Sequence, residues 1–213
     1  MKENLATLPL IDAFNAKDEC PFCNLERSAE QHAISFILGS AYMEDDIREK
    51  TDIMGFCRHH NKMMYDYGNR LGNALILSTH LKLINKELAE ELKKFTPSKS
   101  SFMSRLKKTE VKDNAPKNEL SNWLYEKERT CYVCDHFQNI YGRYLDTFFY
   151  LYKKDPDFRK LYFDSKGFCL HHFKDLIDAA ENKLTDEEKK KFYPATFELM
   201  QENLPRLQKE VEW

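Results

Sequence analysis

The six cysteines of this chain fall into one pattern that is written twice. Each copy begins with a CxxC pair and continues, after a gap, with Gly-Phe-Cys and two histidines. The two CxxC pairs are 111 residues apart, whereas the two Gly-Phe-Cys motifs are 112 apart, so the second copy is one residue longer between its motifs. A chain of 213 residues that repeats this pattern nearly end to end predicts two similar halves.

Apolar residues recur at the same offset and indicate helices. They are Ile34, Ile37 and Leu38 in the first copy, and Leu145, Phe148 and Phe149 in the second. Steps of three and four residues place each set on one helix face, and no segment alternates with period two. With only 6 Gly and 7 Pro, the chain also lacks the turn residues of an all-β protein. We therefore predict an all-α protein of two pseudo-symmetric helical halves.

The helix boundaries follow from local signals. We predict helices over 24–42 and 134–153, and one that starts at each third cysteine. Thr185 and Glu188 have the spacing of a capping box that opens the last helix. Pro194 and Pro205 should break or kink that helix. A further pattern predicts a packed face on one helix, formed by Leu77, Leu81, Ile84 and Leu88.

The domain organisation follows from the repeat and from one basic segment. We predict a first helical repeat at 1–95, a linker at 96–119 and a second repeat at 120–213. Between Lys93 and Lys117 there are eight basic residues against two acidic ones, a local net charge of +6. Charged linkers of this kind are common, so we interpret the segment as a solvated linker and do not expect it to bind nucleic acid.

Each copy supplies three cysteines and a histidine, the ligand set of a closed zinc site. The predicted ligands are Cys20, Cys23, Cys57 and His60 in the first half, and Cys131, Cys134, Cys169 and His172 in the second. Three cysteines per half disfavour disulfides, because one thiol would stay unpaired. The alternatives left open are an iron-sulfur cluster, a redox dithiol and buried inert cysteines. We expect two zinc ions per chain, one pinning each half.

The double histidines leave a choice for the fourth ligand. His60 and His172 lie three residues after the cysteine, and positions i and i+3 share one side of a helical turn. His59 and His171, two residues after it, point elsewhere but stay open as alternatives. His136, close to the second CxxC pair, is a further substitute.

The pattern resembles a family of uncharacterised proteins from low-GC Gram-positive bacteria, in which a CPxC turn is followed by GFCxxH. The resemblance rests on Cys20, Cys23, Gly55, Cys57 and His60 and on their second-copy partners, although the second CxxC lacks the proline. It implies a helical metal-binding protein of unknown role.

A closed Cys3His site leaves no coordination position for a catalytic water, so an enzyme is the less favoured class. We expect a binding or scaffolding module with a protein partner; its oligomeric state is open. The alternatives are a redox-responsive zinc-thiolate protein and, with less support, an iron-sulfur protein or a nucleic-acid binder. The chain has no apolar run that could cross a membrane and no signal-like start, so we expect a cytoplasmic location.

Aromatic residues flank the ligands in both copies. They are Phe22, Phe56, Tyr132 and Phe168. If they pack over the sites they shield the sulfurs, and mild peroxide should then release no zinc.

Overall fold

The computed structural model describes residues 7–97, 116 and 118–212, and these ranges contain ten α-helices, one 3-10 turn and no strand. The first five helices are α1 (Leu8–Asn15), α2 (Pro21–Gly39), α3 (Asp45–Met54), α4 (Arg58–Tyr67) and α5 (Arg70–Lys94), with the 3-10 turn at Ala41–Met43. The other five are α6 (Glu119–Arg129), α7 (Tyr132–Lys154), α8 (Pro156–Phe163), α9 (Leu170–Lys183) and α10 (Asp186–Val211). The all-α prediction is confirmed. No helix in the described ranges is long and apolar enough to cross a membrane.

Four helices begin directly after a cysteine. α2 and α7 start one residue after Cys20 and Cys131, slightly earlier than the sequence predicted. α4 and α9 start one residue after Cys57 and Cys169, so the prediction of a helix at each third cysteine is confirmed. Each cysteine motif therefore occupies the first turn of a helix.

α10 follows one prediction and contradicts another. The Thr185 hydroxyl accepts from the Glu188 amide and the Glu188 carboxylate accepts from the Thr185 amide, so the capping box is confirmed. The predicted break at Pro194 or Pro205 is wrong, because the helix runs through both, and a kink at either proline stays a prediction. Both prolines lie on the exposed side, while the opposite side is buried in the core and holds the helix in place.

The chain divides into two compact units that do not coincide with the predicted halves. The first unit contains residues 1–32 and 136–213, and the second contains residues 33–135. Each unit thus draws helices from both sides of the predicted linker. The division into repeats at 1–95 and 120–213 stays a prediction about the sequence, and 98–115 and 117 of the linker lie outside the described residues.

The first unit has an aromatic core. Its fully buried rings are Phe14, Phe22, Phe148, Phe149, Phe158, Tyr162 and Phe192. Phe14 meets Phe158 edge-on at 5.3 Å between ring centroids, and Phe148 meets Tyr162 in the same way at 5.3 Å. Edge-on pairs add stabilisation beyond the area they bury. The buried Tyr162 hydroxyl lies 2.6 Å from the Thr196 hydroxyl, which itself donates to the Phe192 carbonyl.

The second unit has an aliphatic core. Its buried apolar residues include Ile34, Ile37, Leu38, Met64, Ile76 and Val133. On α5 the buried positions are Gly72, Asn73 and Ile76, whereas Leu81 of the predicted packed face is 54% exposed. That prediction is wrong at Leu81, because α3 packs against a neighbouring face of α5: Arg48 donates to the Leu75 carbonyl and to the Thr79 hydroxyl.

Candidate metal centres

The eight predicted ligand residues form two four-residue clusters. The first cluster, in the first unit, consists of Cys20, Cys23, Cys169 and His172. The second cluster, in the second unit, consists of Cys57, His60, Cys131 and Cys134. In both, the candidate ligand atoms lie within 4.8 Å of one another. The expectation that each copy builds its own site is wrong: each cluster joins the CxxC pair of one copy to the Cys and His of the other.

Helix length explains this exchange. α2 has 19 residues, so it carries the chain about 28 Å away from Cys23, and the ten residues of α3 span only about 15 Å. α7 has 23 residues and α8 has eight, which correspond to about 35 Å and 12 Å. In both copies the second helix is therefore much shorter than the first, and alone it does not span the distance back to the CxxC pair of its own copy. Each Gly-Phe-Cys motif therefore meets the CxxC pair of the other copy.

Hydrogen bonds and ion pairs outside the sulfurs join the paired motifs. At the second cluster, the Tyr132 amide donates to the Gly55 carbonyl at 3.0 Å. At the first cluster, Glu19 precedes the CxxC pair and accepts from Lys166 at 2.8 Å, and it also pairs with Arg206 of α10. These ion pairs hold the pKa of the Glu19 carboxyl below its ordinary value.

The first cluster has the dimensions of a tetrahedral zinc site. With zinc-sulfur bonds of about 2.3 Å and zinc-nitrogen bonds of about 2.05 Å, a tetrahedron has sulfur-sulfur edges of about 3.8 Å and sulfur-nitrogen edges of about 3.6 Å. The Sγ atoms of Cys23 and Cys169 are 3.6 Å apart. His172 Nδ1 lies 3.5, 3.3 and 3.3 Å from the Sγ atoms of Cys20, Cys23 and Cys169.

The second cluster has nearly the same dimensions. His60 Nδ1 lies 3.2, 3.3 and 3.4 Å from the Sγ atoms of Cys57, Cys131 and Cys134. The Sγ atoms of Cys57 and Cys134 are 4.0 Å apart. All six cysteines are free thiols, and the two sulfur-sulfur separations are well beyond the roughly 2.05 Å of a disulfide bond. Both clusters can therefore enclose one ion of the size of zinc.

The electrostatic surroundings suit a cation bound by thiolates. Each cluster lies at the N-terminal ends of two helices, where the first-turn amides and the helix dipole stabilise negative sulfur. The Cys169 sulfur accepts from the His172 amide at 3.5 Å. Burial raises the pKa of the Cys20 and Cys23 thiols, and the neighbouring sulfurs raise that of Cys23 further. Gathered thiolates therefore need a compensating cation, and Cys3His is a donor set that zinc prefers.

The two histidines favoured by helical spacing are the ones that lie in the clusters. His60 and His172 are 2% and 1% exposed and point Nδ1 into the clusters. Burial, with His171 as a second cause, lowers the pKa of His172 to about 4, so this ring is neutral at neutral pH, as a ligand must be. His59 and His171 are exposed, and His136 belongs to neither cluster.

One carboxylate beside the first cluster was missed by the sequence analysis. His172 Nε2 is buried without a hydrogen bond, and Glu26 Oε2 lies 3.7 Å from it. A carboxylate on the far nitrogen of a ligating imidazole fixes its orientation. Glu26 follows Cys23 by three residues on α2, so helical spacing from a ligand was the signal that pointed to it.

The aromatic residues that flank the ligands differ in burial between the two clusters. At the first cluster, Phe22 and Phe168 are 0% and 4% exposed, and the rings of Phe22 and Tyr141 lie 5.9 and 5.7 Å from the His172 ring. At the second cluster, Phe56 and Tyr132 are only half-buried, and Cys134 is exposed. The flanking rings are therefore buried more deeply at the first cluster than at the second, and resistance of the zinc to peroxide stays a prediction.

Comparison with known proteins gives one match. A family model described as "Family of unknown function (DUF6062)" matches residues 1–213. No curated protein and no solved structure matches the chain. The expected resemblance to a family of unknown function is confirmed at this level, while the Gram-positive source and the motif pattern stay predictions.

Proposed function

Since the chain belongs to DUF6062, a family whose function is unknown, we propose a function from its own residues: a helical binding or scaffolding module held in shape by two structural zinc sites. The observation that carries the proposal is the pair of Cys3His tetrahedra, with sulfur-nitrogen edges of 3.2–3.5 Å. Zinc is bound by such sets in closed sites that contribute folding free energy directly.

The ligand spacing favours a single ion over an iron-sulfur cluster. A multi-iron cluster puts several iron and sulfide atoms between its thiolates, which would hold the cysteine sulfurs farther apart than 3.6 and 4.0 Å. The four protein ligands also fill a tetrahedral ion, so no position is left for a water that reacts with substrate. These considerations favour a structural role over a hydrolytic one.

The proposed cellular location follows from the cysteine thiols. Six unpaired cysteines that must stay reduced to bind zinc suit a reducing compartment, so we place the protein in the cytoplasm. We expect its partner to be another protein.

Metal analysis of matched histidine variants tests the proposal. The purified full chain should contain about two zinc per chain by mass spectrometry, the count expected from two closed sites. His60→Ala and His172→Ala should each lose one equivalent, because each removes one of four ligands. His59→Ala and His171→Ala are the matched controls and should keep both, since their side chains are exposed.

A rescue variant separates loss of a ligand from loss of the fold. His60→Cys restores a fourth donor and makes the set all-thiolate, which is another structural zinc set, so this variant should keep two zinc. Full zinc content in both His60→Ala and His172→Ala would overturn the proposal. A brown protein that contains iron in place of zinc would support the iron-sulfur alternative.

A further inference from the structure

The two clusters have the same ligand set but different access to solvent. Cys134 is the one exposed thiol among the six cysteines, whereas its counterpart Cys23 is half-buried. The Sγ atoms of Cys57 and Cys134 are also farther apart, at 4.0 Å, than those of Cys23 and Cys169, at 3.6 Å. The second cluster therefore includes one exposed cysteine residue, and this sulfur-sulfur separation is larger in it.

The surroundings of the first cluster close it from several sides. Phe22 is fully buried and contacts Phe168 at 5.6 Å and Tyr141 at 5.8 Å between ring centroids. Tyr141 is held in turn by a hydrogen bond of 3.2 Å to Asp175 of α9. Cys23 and Cys169 are half-buried against this aromatic wall, and a molecule that reaches the buried Cys20 must displace part of it. Displacing packed core residues costs free energy, which slows access.

Ion pairs reinforce the closed state of the first cluster. Glu19, the residue before Cys20, forms an ion pair with Lys166, in the loop that leads to Cys169. It forms a second ion pair with Arg206 on α10. The CxxC turn therefore cannot move away from its partner motif without breaking these pairs. At the second cluster the corresponding link is the hydrogen bond from the Tyr132 amide to the Gly55 carbonyl.

We propose that the second cluster is an exchangeable metal site, at which a soft thiolate or chelating ligand enters beside Cys134 and accepts the zinc, while the first cluster keeps its ion. This inference rests on the proposed zinc sites and assigns them different roles, exchange of zinc at the second cluster and retention at the first. In the exchange step the donor atom of the incoming ligand binds zinc as the bond from zinc to Cys134 Sγ breaks. The released thiolate takes a proton from water, and no electron is transferred.

Chelator competition on the zinc-loaded full chain tests the inference. With excess 4-(2-pyridylazo)resorcinol, zinc release should occur in two phases of one equivalent each. The fast phase should be about tenfold faster or more, which corresponds to about 1.4 kcal/mol in the activation barrier. Cys134→Ser should remove the fast phase, whereas the matched variant Cys23→Ser should remove the slow one.

Alkylation of the unaltered chain gives a second measurement that needs no variant. With limiting N-ethylmaleimide, peptide mass spectrometry should find Cys134 modified before Cys23, because Cys134 is an exposed residue and Cys23 is half-buried. Equal release from both clusters, or faster release from the first, would overturn the inference. A starting content below two zinc would contradict the proposed zinc sites themselves, and is read before any chelator is added.

Discussion

Gly55 and Gly167 form the turns that deliver Cys57 and Cys169 to the clusters. Gly55 has φ 59° and ψ −154°, a conformation that is essentially restricted to glycine, and Gly167 has φ 83°. A Cβ on Gly55 would lie 2.5 Å from the ring of His80, which is fixed by a hydrogen bond of 2.7 Å to the Asp52 carbonyl. The glycine of the Gly-Phe-Cys motif is therefore required by both backbone conformation and space.

We predict that Gly55→Ala lowers the free energy of unfolding of the zinc-loaded chain by about 1–3 kcal/mol, the cost of a disfavoured backbone conformation. Urea unfolding followed by circular dichroism measures it. Gly142→Ala is the control: this exposed residue lies inside α7 with open space at its Cβ position. It should stabilise the chain by about 0.5–1 kcal/mol through helix propensity. Equal effects of the two substitutions would contradict this account of the turn.

At this scale the sequence identified the eight side chains that lie in the two clusters, but not which of them lie together. Helical spacing separated His60 and His172 from the exposed His59 and His171, because i and i+3 is a local relation. Which CxxC pair meets which Gly-Phe-Cys motif depends on the path of about 30 residues between them. That path is set by helix length and packing, which no single residue encodes.

Among the elements, α10 is the most informative, because it keeps two prolines in its interior. Pro194 and Pro205 each remove one backbone donor, yet the helix continues from Asp186 to Val211. Its buried residues, among them Phe192 and Leu199, anchor it in the core of the first unit. The tendency of the two prolines to break the helix was outweighed here by tertiary packing. The capping box predicted at Thr185 is present.

Pro194→Ala should raise the free energy of unfolding by about 1–3 kcal/mol. An interior proline costs about 3 kcal/mol relative to alanine, partly offset by the lower entropy of the unfolded chain. Pro156→Ala is the matched control, since Pro156 is also exposed but opens α8, where proline is favourable. It should be neutral or slightly destabilising. Thermal unfolding of both variants distinguishes them, and destabilisation by Pro194→Ala would show that the ring makes a contact the helix needs.

For the whole molecule, the important feature is that each compact unit contains helices from both sides of the predicted linker. The first unit combines Phe14 and Phe22 with the rings of α7, α8 and α10. The second combines Ile34 and Ile76 with Val133. A repeat in the sequence suggested two independent halves, but side chains that complete each core come from the other copy.

Cutting the chain between the copies tests this arrangement. A protease site inserted between residues 105 and 112 of the full chain should allow complete cleavage with little loss of structure. The two fragments should then elute together in size-exclusion chromatography and keep about two zinc, because both clusters contain ligands from both fragments. Two separate fragments with one zinc each would contradict this arrangement. They would show that each CxxC pair binds metal with the Gly-Phe-Cys motif of its own copy.

The paired motifs also impose an order on synthesis. His172 is 149 residues after Cys23, whereas the ligands of the second cluster span only residues 57–134, nested within that interval. The ribosome adds about 5–20 residues per second, so the first CxxC pair exists for about 7–30 s before its histidine is made. The second CxxC pair is translated during that time, beside Cys and His residues that are already present. The nascent chain must therefore protect the thiols of Cys20 and Cys23 until their partner residues are made. The first cluster is thus the last to be completed, and it is the more deeply buried of the two in the folded protein.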